Sequence, residues 1–212
     1  VPPWNEARAR QTVDRLMTLA AEQPVLQSAA VVSGMPFGMT QYTAGSDVTT
    51  IDKPFVRGDE VHTYAPFIAA TPSVFQTLGV SIVRGRAFDV HDTAGGAPVA
   101  VLSEHTARDL FGTTDVIGRE FLLRRATSTG ETVDQLAIIG IAADTDSEVR
   151  GLRKSGVVYL PLTQRFEPIL TFVARTDRDP ADLIGPMKVL VQHADPDLVL
   201  AHPGAAAPIV LG

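Results

Sequence analysis

The segment at residues 71–88, TPSVFQTLGVSIVRGRAF, constrains the fold most strongly, because it encodes a short helix that leads directly into a strand. Thr71 is a typical helix N-cap, Pro72 suits the first helical position, and Gly79 stands where a left-handed glycine ends a helix. The alternation over residues 80–83 then predicts a short strand. The segment pairs no nucleophile with a base and contains no metal-ligand pair or phosphate loop, so it indicates a structural role.

Periodic patterns on both sides of this segment predict a mixed α+β chain. A helix is expected over residues 5–23, with one apolar stripe and with Pro24 as its end. Ser103 predicts the N-cap of a further helix, which ends at Gly112. Asp179 predicts the N-cap of another, which must kink or restart at Pro186. The predicted strands cover residues 25–33, 61–70, 98–102, 119–125, 133–142, 157–160 and 169–175, and residues 197–201 are a candidate for a last strand.

Residues 34–58 break this regular pattern. They are rich in Gly, Thr, Asp and Pro and lack periodic apolar residues, which predicts an insertion or a long hairpin arm. Because Met and aromatic side chains are enriched at interfaces, the apolar residues of this arm are candidates for partner contact: Met35, Phe37, Met39, Tyr42 and Phe55. The alternative is a loop whose apolar side chains pack on the domain's own core. The strand that follows contains Pro66, which predicts an edge position or a bulge.

Charge and cysteine content narrow the functional classes. The formal net charge of −6 disfavours nucleic acid or an anionic membrane surface as a partner, since both select clustered Lys and Arg. The short basic groups, among them Arg84 with Arg86 and Arg124 with Arg125, are expected on solvated faces. The chain has no cysteine, which excludes disulfides, thiol nucleophiles and cysteine-ligated metal. The longest apolar run, residues 136–143, has eight residues, whereas a membrane span needs about 20.

Several motifs, taken in order, resemble one family. Residues 71–88 are similar to the "Pro-x-x-Phe-x-x-Leu-Gly" helix and the "x-x-Gly-Arg-x-Phe" turn of MacB-like periplasmic core domains of ABC-transporter permeases. Three residues depart from the family pattern: Val116 stands where the family usually has Pro, Ala142 lies in the glycine-flanked strand, and Pro186 lies inside the last helix. The further landmarks are residues 99–104 (VAVLSE), 110–112 (LFG), 115–119 (DVIGR), 139–144 (IGIAAD), 158–161 (VYLP), 175–176 with 179–180, and 195–197 (DPD).

The resemblance implies an α+β fold with two subdomains. A porter-like βαβ-type subdomain, similar to the porter domain of resistance-nodulation-division pumps, would comprise residues 1–70 and 157–212. A small α/β-rich extracytoplasmic subdomain at residues 71–156 would be inserted into it. The glycines of the motifs are expected to supply backbone angles or close approach, and the aromatic residues, Phe111 among them, to anchor the core. Eight positions are marked as structural motif residues: Gly79, Arg84, Gly85, Arg86, Phe88, Gly118, Tyr159 and Pro161.

The resemblance also implies a function. The chain would be the extracytoplasmic (periplasmic) core domain of a permease, anchored to the inner cell membrane by flanking transmembrane helices outside this sequence. It would relay ATP-driven conformational change and contact a partner or a substrate. Its expected partners are the rest of the permease and an ABC ATPase, with a periplasmic adaptor or a substrate as further candidates. Neither nucleic acid nor a cofactor is expected, and the isolated domain is expected to be a monomer or a weak dimer.

Two other functional classes compete with this interpretation. A free-standing hydrolase could use Ser103 or His105, and His91 next to Asp92 offers further residue types of a hydrolytic triad. Gly-x-Ser-x-Gly is absent, however, and so are HExxH and a phosphate loop. Residues 144–155 begin like a calcium loop but lack its glycine and its final glutamate. A passive ligand-binding module is the other alternative. We therefore expect no catalytic, cofactor or metal site in this chain.

Overall fold

The computed structural model describes residues 5–33, 45–55, 63–127, 130–145, 156–167 and 169–198. Within these ranges the chain forms four α-helices, one 3-10 helix and nine strands, which confirms the α+β class. The helices are α1 (Glu6–Ala21), α2 (Val74–Leu78), α3 (Glu104–Phe111), the 3-10 helix Pro180–Leu183 and α4 (Ile184–Ala194). The strands are β1 (Ser28–Ser33), β2 (Gly45–Thr50), β3 (Thr63–Ala70), β4 (Ile82–Gly85), β5 (Val99–Ser103), β6 (Glu120–Thr127), β7 (Gly130–Ala142), β8 (Val158–Pro161) and β9 (Leu170–Arg175).

Six of the described strands close into a barrel. Their order is β2-β6-β7-β5-β8-β3, and β2 pairs with both β6 and β3, so the ring has no open edge. In a small barrel the inward side chains fill the interior and form a packed core. The inward residues here are Val48, Ala65, Phe67, Ala100, Leu102, Phe121, Leu123, Leu136, Ile138, Ile141, Val158 and Leu160.

Helix α3 closes one end of this barrel. It contacts β2, β3, β5 and β7, which lie on opposite sides of the ring. Ala107 of α3 is fully buried in the barrel core, and Phe111 packs against the same core while staying partly exposed. Both predicted ends of this helix are confirmed. The Ser103 side chain accepts a hydrogen bond from the Thr106 backbone N–H, and Gly112 ends the helix with a φ of +71°.

Strands β1 and β9 extend the sheet beyond β3 into a flanking layer with helices on both faces. Ala29 and Val31 of β1 pack in a core with α1 and α4, whereas Ala30 and Val32 pack in a core with α2. Because successive side chains of a strand point to opposite faces, α1 and α4 lie on one face and α2 lies on the other.

Two of the predicted helices are confirmed in this layer. Leu16 and Ala20 of the predicted apolar stripe are buried between α1, α4 and β1. The 3-10 helix begins after Asp179, whose side chain accepts a hydrogen bond from the Ala181 backbone N–H. The α-helix then restarts at Ile184, so Pro186 lies in the first turn of α4, where a backbone N–H has no intrahelical partner to lose.

Within the predicted insertion or hairpin arm, residues 45–50 form β2, a strand that was missing from the predicted strands and that pairs antiparallel with β3. Val48 is fully buried and lies opposite Thr63 of β3 and Leu123 of β6. The sequence GSDVTT is short and mostly polar, so it shows a strand pattern only once its two neighbours are in place. Residues 51–55 form a turn and a short loop after β2, and the other arm residues, 34–44 and 56–58, lie outside the described ranges.

Two local expectations near β3 are wrong. The strand lies inside the sheet, and Pro66 pairs with Gly45 of β2 just before the pairing with β8 begins, so the edge position is wrong, while the alternative of a bulge at Pro66 stays a prediction. Thr71 does not cap α2, which begins at Val74. Its hydroxyl instead accepts a hydrogen bond from the Val31 backbone N–H at 3.0 Å, because the chain leaving β3 still runs beside β1.

The expected division into residues 71–156 and the two flanking stretches stays a prediction. The barrel core combines both parts, for example Phe67 with Leu102. Among the described residues, the core between α1 and α4 draws on the flanking stretches alone. Residues 197 and 198 of the candidate last strand form no strand, and the residues after 198 lie outside the described ranges.

Candidate functional site

Of the five predicted contact residues, Phe55 lies within the described ranges. The other four lie outside them: Met35, Phe37, Met39 and Tyr42. The Phe55 ring is partly buried, and the Arg124 guanidinium lies over it, 4.5 Å from the ring centroid. Arg124 also approaches the carboxylates of Asp47, at 3.3 Å, and Glu131, at 3.8 Å. The expectation of a solvated Arg124 is therefore wrong, because its side chain packs against an aromatic ring and is only 22% exposed.

An open cleft lies at the end of β2, close in sequence to Phe55. It is lined by residues 50–52, by Phe111 of α3 and by residues 118–120. The Arg119 guanidinium lies 4.3 Å from the centroid of the Phe111 ring, so a cation–π pair forms one side of the cleft. A hydrogen bond from the Thr50 side chain lowers the pKa of Asp52, so this carboxyl is charged at neutral pH.

Arg86 of the Arg-Gly-Arg motif holds a surface loop in place. Its guanidinium donates two parallel hydrogen bonds, of 2.7 and 2.8 Å, to the carboxylate of Asp92, which is 6% exposed. The Asp89 backbone N–H donates to the same carboxylate at 2.9 Å. The hydrogen bonds from Arg86 keep the pKa of Asp92 below its usual range. Both arginines are exposed, as expected, but the Arg86 guanidinium also binds a buried carboxylate, whereas Arg84 lies 3.8 Å from the exposed carboxylate of Asp115.

Two glycines let β4 and β7 approach each other closely. Gly85 has a φ of +69°, and a Cβ there would overlap the backbone carbonyl oxygen of Ile139. Gly140 pairs with Gly85, and a Cβ on it would overlap the carbonyl oxygen of Arg86. The close approach predicted for Gly85 is thus confirmed. Gly140 was not singled out, although it stands in the landmark at residues 139–144.

The other motif residues have structural roles. Phe88 and Tyr159 are confirmed as core anchors, since their rings lie 5.5 and 5.1 Å from that of Phe75. Burial raises the pKa of Tyr159 above its usual range. Pro161 is buried at the end of β8, and Gly79 and Gly118 take positive φ angles of 71° and 81°.

The residues considered for hydrolysis do not form a catalytic pair. The Ser103 hydroxyl accepts hydrogen bonds from the backbone N–H groups of Thr106, at 3.3 Å, and Val157, at 2.9 Å. His105 directs its Nε2 towards the carboxylate of Asp109, at 3.3 Å. Ser103 is therefore held in a helix cap, and none of the residues that the structure describes is a general base in hydrogen-bond contact with it.

The sequence patterns did not indicate the role of Arg8, which lies in the first turn of α1. Its guanidinium donates to the carboxylate of Asp195 at 2.7 and 2.9 Å and to that of Asp197 at 2.7 Å. The Thr12 hydroxyl, one turn later, donates to Asp195 at 3.2 Å. Hydrogen bonds from Arg8 hold the pKa of Asp195 below its usual range, and those with both carboxylates raise the pKa of Arg8. Asp195 directly follows α4, so this cluster joins the beginning of α1 to the end of α4.

The match to a known family extends over nearly the whole chain. The family profile described as the MacB-like periplasmic core domain matches residues 2–197. The chain belongs to this family. No curated protein matches the chain. Among the described helices of this MacB-like domain, none is both long enough and apolar enough to span a lipid bilayer.

Solved structures of two transporter domains share the fold of this MacB-like domain. The periplasmic region of MacB from Actinobacillus actinomycetemcomitans aligns with a TM-score of 0.55 and 14% identity, over 84% of this chain and 72% of that chain. The extracellular domain of the noncanonic ABC-type transporter YknZ from Gram-positive bacteria aligns with a TM-score of 0.53 and 14% identity, over 85% and 83% of the two chains.

The family landmarks of this MacB-like domain lie in elements that touch one another. Three landmarks lie in neighbouring strands. Residues 99–104 include β5, residues 139–144 include the end of β7, and residues 158–161 form β8. Strand β5 pairs with both β7 and β8. Residues 195–197 supply the carboxylates that bind Arg8. The resemblance found from the sequence is therefore confirmed, and its landmarks mark both the barrel and the junction of α1 with α4.

Proposed function

We propose that this chain is the extracytoplasmic core domain of an ABC-transporter permease, where it relays ATP-driven conformational change and contacts a partner or a substrate without catalysing a reaction. One observation carries the proposal: the first turn of α1 and the residue after α4 are joined, with 2.7 Å between Arg8 and Asp195. A domain whose first and last described helices are joined at these ends can be attached to two neighbouring transmembrane helices and displaced by them as a unit. The expected partners are those helices and an ABC ATPase.

The sheet supports such a relay, because it links the α1 and α4 layer to the barrel. Strand β1 pairs with β9 on one side and with β3 on the other, and β3 is itself a barrel strand. Packed and hydrogen-bonded elements shift as units in conformational transitions. A displacement applied at the ends of α1 and α4 would therefore reach the cleft and Phe55 on the barrel, where contact with a partner or substrate is proposed.

The arrangement of polar side chains gives little support to the hydrolase alternative. Ser103 is engaged by two backbone N–H groups and His105 by Asp109. Among the described residues, no group of His, Asp and Glu could hold a metal ion. A contact-making role needs none of these groups.

Cysteine labelling of the full-length permease tests the proposed location. Val90 is 79% exposed and the domain has no native cysteine, so Val90→Cys introduces the domain's single thiol into a permease whose cysteines outside this domain are first replaced by serine. We expect a membrane-impermeant maleimide to label it in spheroplasts with an intact inner membrane. Ala100→Cys, at a fully buried position, is the matched control and should be labelled only after denaturation. Labelling of Val90→Cys that requires disruption of the inner membrane would contradict the proposal.

A further inference from the structure

We infer that Arg8 is a positioning residue for the relay: its ion pairs with Asp195 and Asp197 make the beginning of α1 and the end of α4 move as one unit. This inference rests on the function proposed above and adds the residue that couples the two ends. The guanidinium bridges two carboxylates on either side of Pro196, and Thr12 fixes the first of them from the next turn of α1.

The placement of these charges favours a role between the helices over a role within either helix. Arg8 lies in the first turn of α1, where the helix dipole disfavours a cation. Asp195 and Asp197 follow the end of α4, where the dipole disfavours an anion. Each charge is therefore at the unfavourable end of its own helix. The arrangement becomes favourable when the two helix ends meet, because the opposite charges then face each other.

The cluster extends the contact between the helices towards the start of α1. In the apolar core shared by α1 and α4, the first residue from α1 is Val13 and the first buried one is Leu16, while Ala9, next to Arg8, is buried outside that core. Arg8 lies more than a turn before Val13, and its partner follows the last residue of α4. Loss of the ion pairs would thus allow the first turn of α1 to separate from α4 while the apolar contact stays closed.

Burial makes the two helix ends difficult to displace separately. Asp195 is 6% exposed, and the Arg8 side chain is 21% exposed. A buried carboxylate that loses its counter-charge is strongly unfavourable, and a two-bonded guanidinium–carboxylate pair also fixes the relative orientation of its partners. A displacement of α1 is therefore transmitted to the segment after α4 for as long as the pair is intact.

Distance measurements in the full-length permease test this inference. Spin labels at Ala7→Cys in the first turn of α1 and Lys188→Cys on α4 occupy exposed positions. With Arg8 present, we expect the same narrow distance distribution in the nucleotide-free and ATP-bound states. Arg8→Gln should shift the distribution to longer distances and broaden it, with the larger change in the ATP-bound state. Arg8→Lys keeps the positive charge but lacks the planar guanidinium that binds a carboxylate through two hydrogen bonds. The distance distribution of this variant should therefore lie between those of the unsubstituted protein and Arg8→Gln.

A matched variant and a stability measurement separate positioning from a merely structural effect. Arg15→Gln removes an exposed arginine from the same helix and should leave the distribution narrow. If Arg8→Gln lowers the melting temperature of the permease but keeps the narrow distribution in both states, Arg8 is structural and the inference is overturned. Failure of the proposed function looks different. In the full permease the transmembrane helices are expected to hold two copies of the domain together, and the unsubstituted copies would then not move relative to each other when ATP binds.

Discussion

Gly85 and Gly140 lie opposite each other in β4 and β7, and neither position has room for a Cβ. Each glycine faces a backbone carbonyl oxygen of the neighbouring segment, Ile139 for Gly85 and Arg86 for Gly140. Backbone atoms cannot rotate away as a flexible side chain can, so both contacts require glycine. The Arg-Gly-Arg motif thus depends on the strand it packs against as much as on its own turn.

Gly85→Val is expected to lower the free energy of unfolding by more than about 1 kcal/mol, because it adds strain at positive φ and an overlap with the Ile139 oxygen. Denaturant melts of the domain measure the change. Gly95→Val is the matched control, since a Cβ at Gly95 has no neighbour within 4 Å, and its effect should stay below about 0.5 kcal/mol. Equal midpoints for Gly85→Val and the unsubstituted chain would show a tolerant surface turn instead.

Arg86→Ala should destabilise the domain by about 1–3 kcal/mol, because it leaves the buried Asp92 carboxylate without its main partner. Arg84→Ala, in the same motif, removes an exposed arginine 3.8 Å from Asp115 and should change stability by less than about 0.5 kcal/mol. Urea melts of the two variants provide the comparison. Similar losses for both arginines would refute the assigned role of Arg86.

Stability should fall at acid pH through Asp92 and Asp195. Hydrogen bonds from Arg86 and Arg8 lower the folded-state pKa of these carboxyls below the unfolded value of about 4. A group with a lowered folded-state pKa stabilises the fold above its unfolded pKa, and this contribution is lost as the pH falls through the folded pKa. We expect the free energy of unfolding to decline below about pH 4, and less steeply in Asp195→Asn.

Urea melts over a series of pH values measure this dependence. Each melt gives the free energy of unfolding for the unsubstituted chain and for Asp195→Asn under the same conditions. Identical pH slopes for the two proteins would show that Asp195 carries no linked stability.

Ser103→Ala should cost about 1 kcal/mol of stability, the usual effect of removing a helix cap, and should remove no catalytic activity. His105→Ala is the companion variant, since its side chain contacts Asp109 on the same helix. Esterase, phosphatase and nucleotidase substrates are suitable probes for the purified domain. Turnover that survives purification and disappears in either variant would instead support the hydrolase alternative.

Deletion of residues 38–43 tests the arm as a contact site. This deletion ends before Gly45, where β2 begins, so it leaves the barrel strands complete. In the full-length transporter we expect reduced partner capture or transport with an unchanged melting temperature. Unimpaired transport together with unchanged partner capture would reject the arm as a contact site.

Sequence patterns predicted the elements whose signals are local. Ser103 and Gly112 mark the two ends of α3 through contacts within a few residues, and the stripe that contains Leu16 marks the buried face of α1. Barrel closure depends instead on which strands become neighbours. In the pairing of β2 with β6, Thr50 lies opposite Phe121. The residue pattern of a strand predicts which face is buried, but it does not predict which distant strand becomes its neighbour.

The same limit applies to the candidate site. Arg86 and Asp92 are six residues apart, and Arg86 is exposed as expected, but the sequence did not indicate its ion pair with Asp92 because the turn between them was not foreseen. Arg8 and Asp195 are 187 residues apart. One signal could have marked Arg8 and Asp195, namely that each charge stands at the unfavourable end of its own helix. The family resemblance indicated the overall fold, which local patterns did not, because it rests on the order of the landmarks along the chain.

The central claim is that the domain moves when the permease binds ATP. Its most direct test is the distance between spin labels at Val90→Cys in two copies of the domain, held together by the transmembrane helices of the full-length permease. Val90 is 79% exposed, so a spin label attached there does not disturb the packing of the core. We predict a shift of this distance between the nucleotide-free and ATP-bound states. Identical distance distributions in the two states, while the same preparation hydrolyses ATP, would contradict the proposed relay.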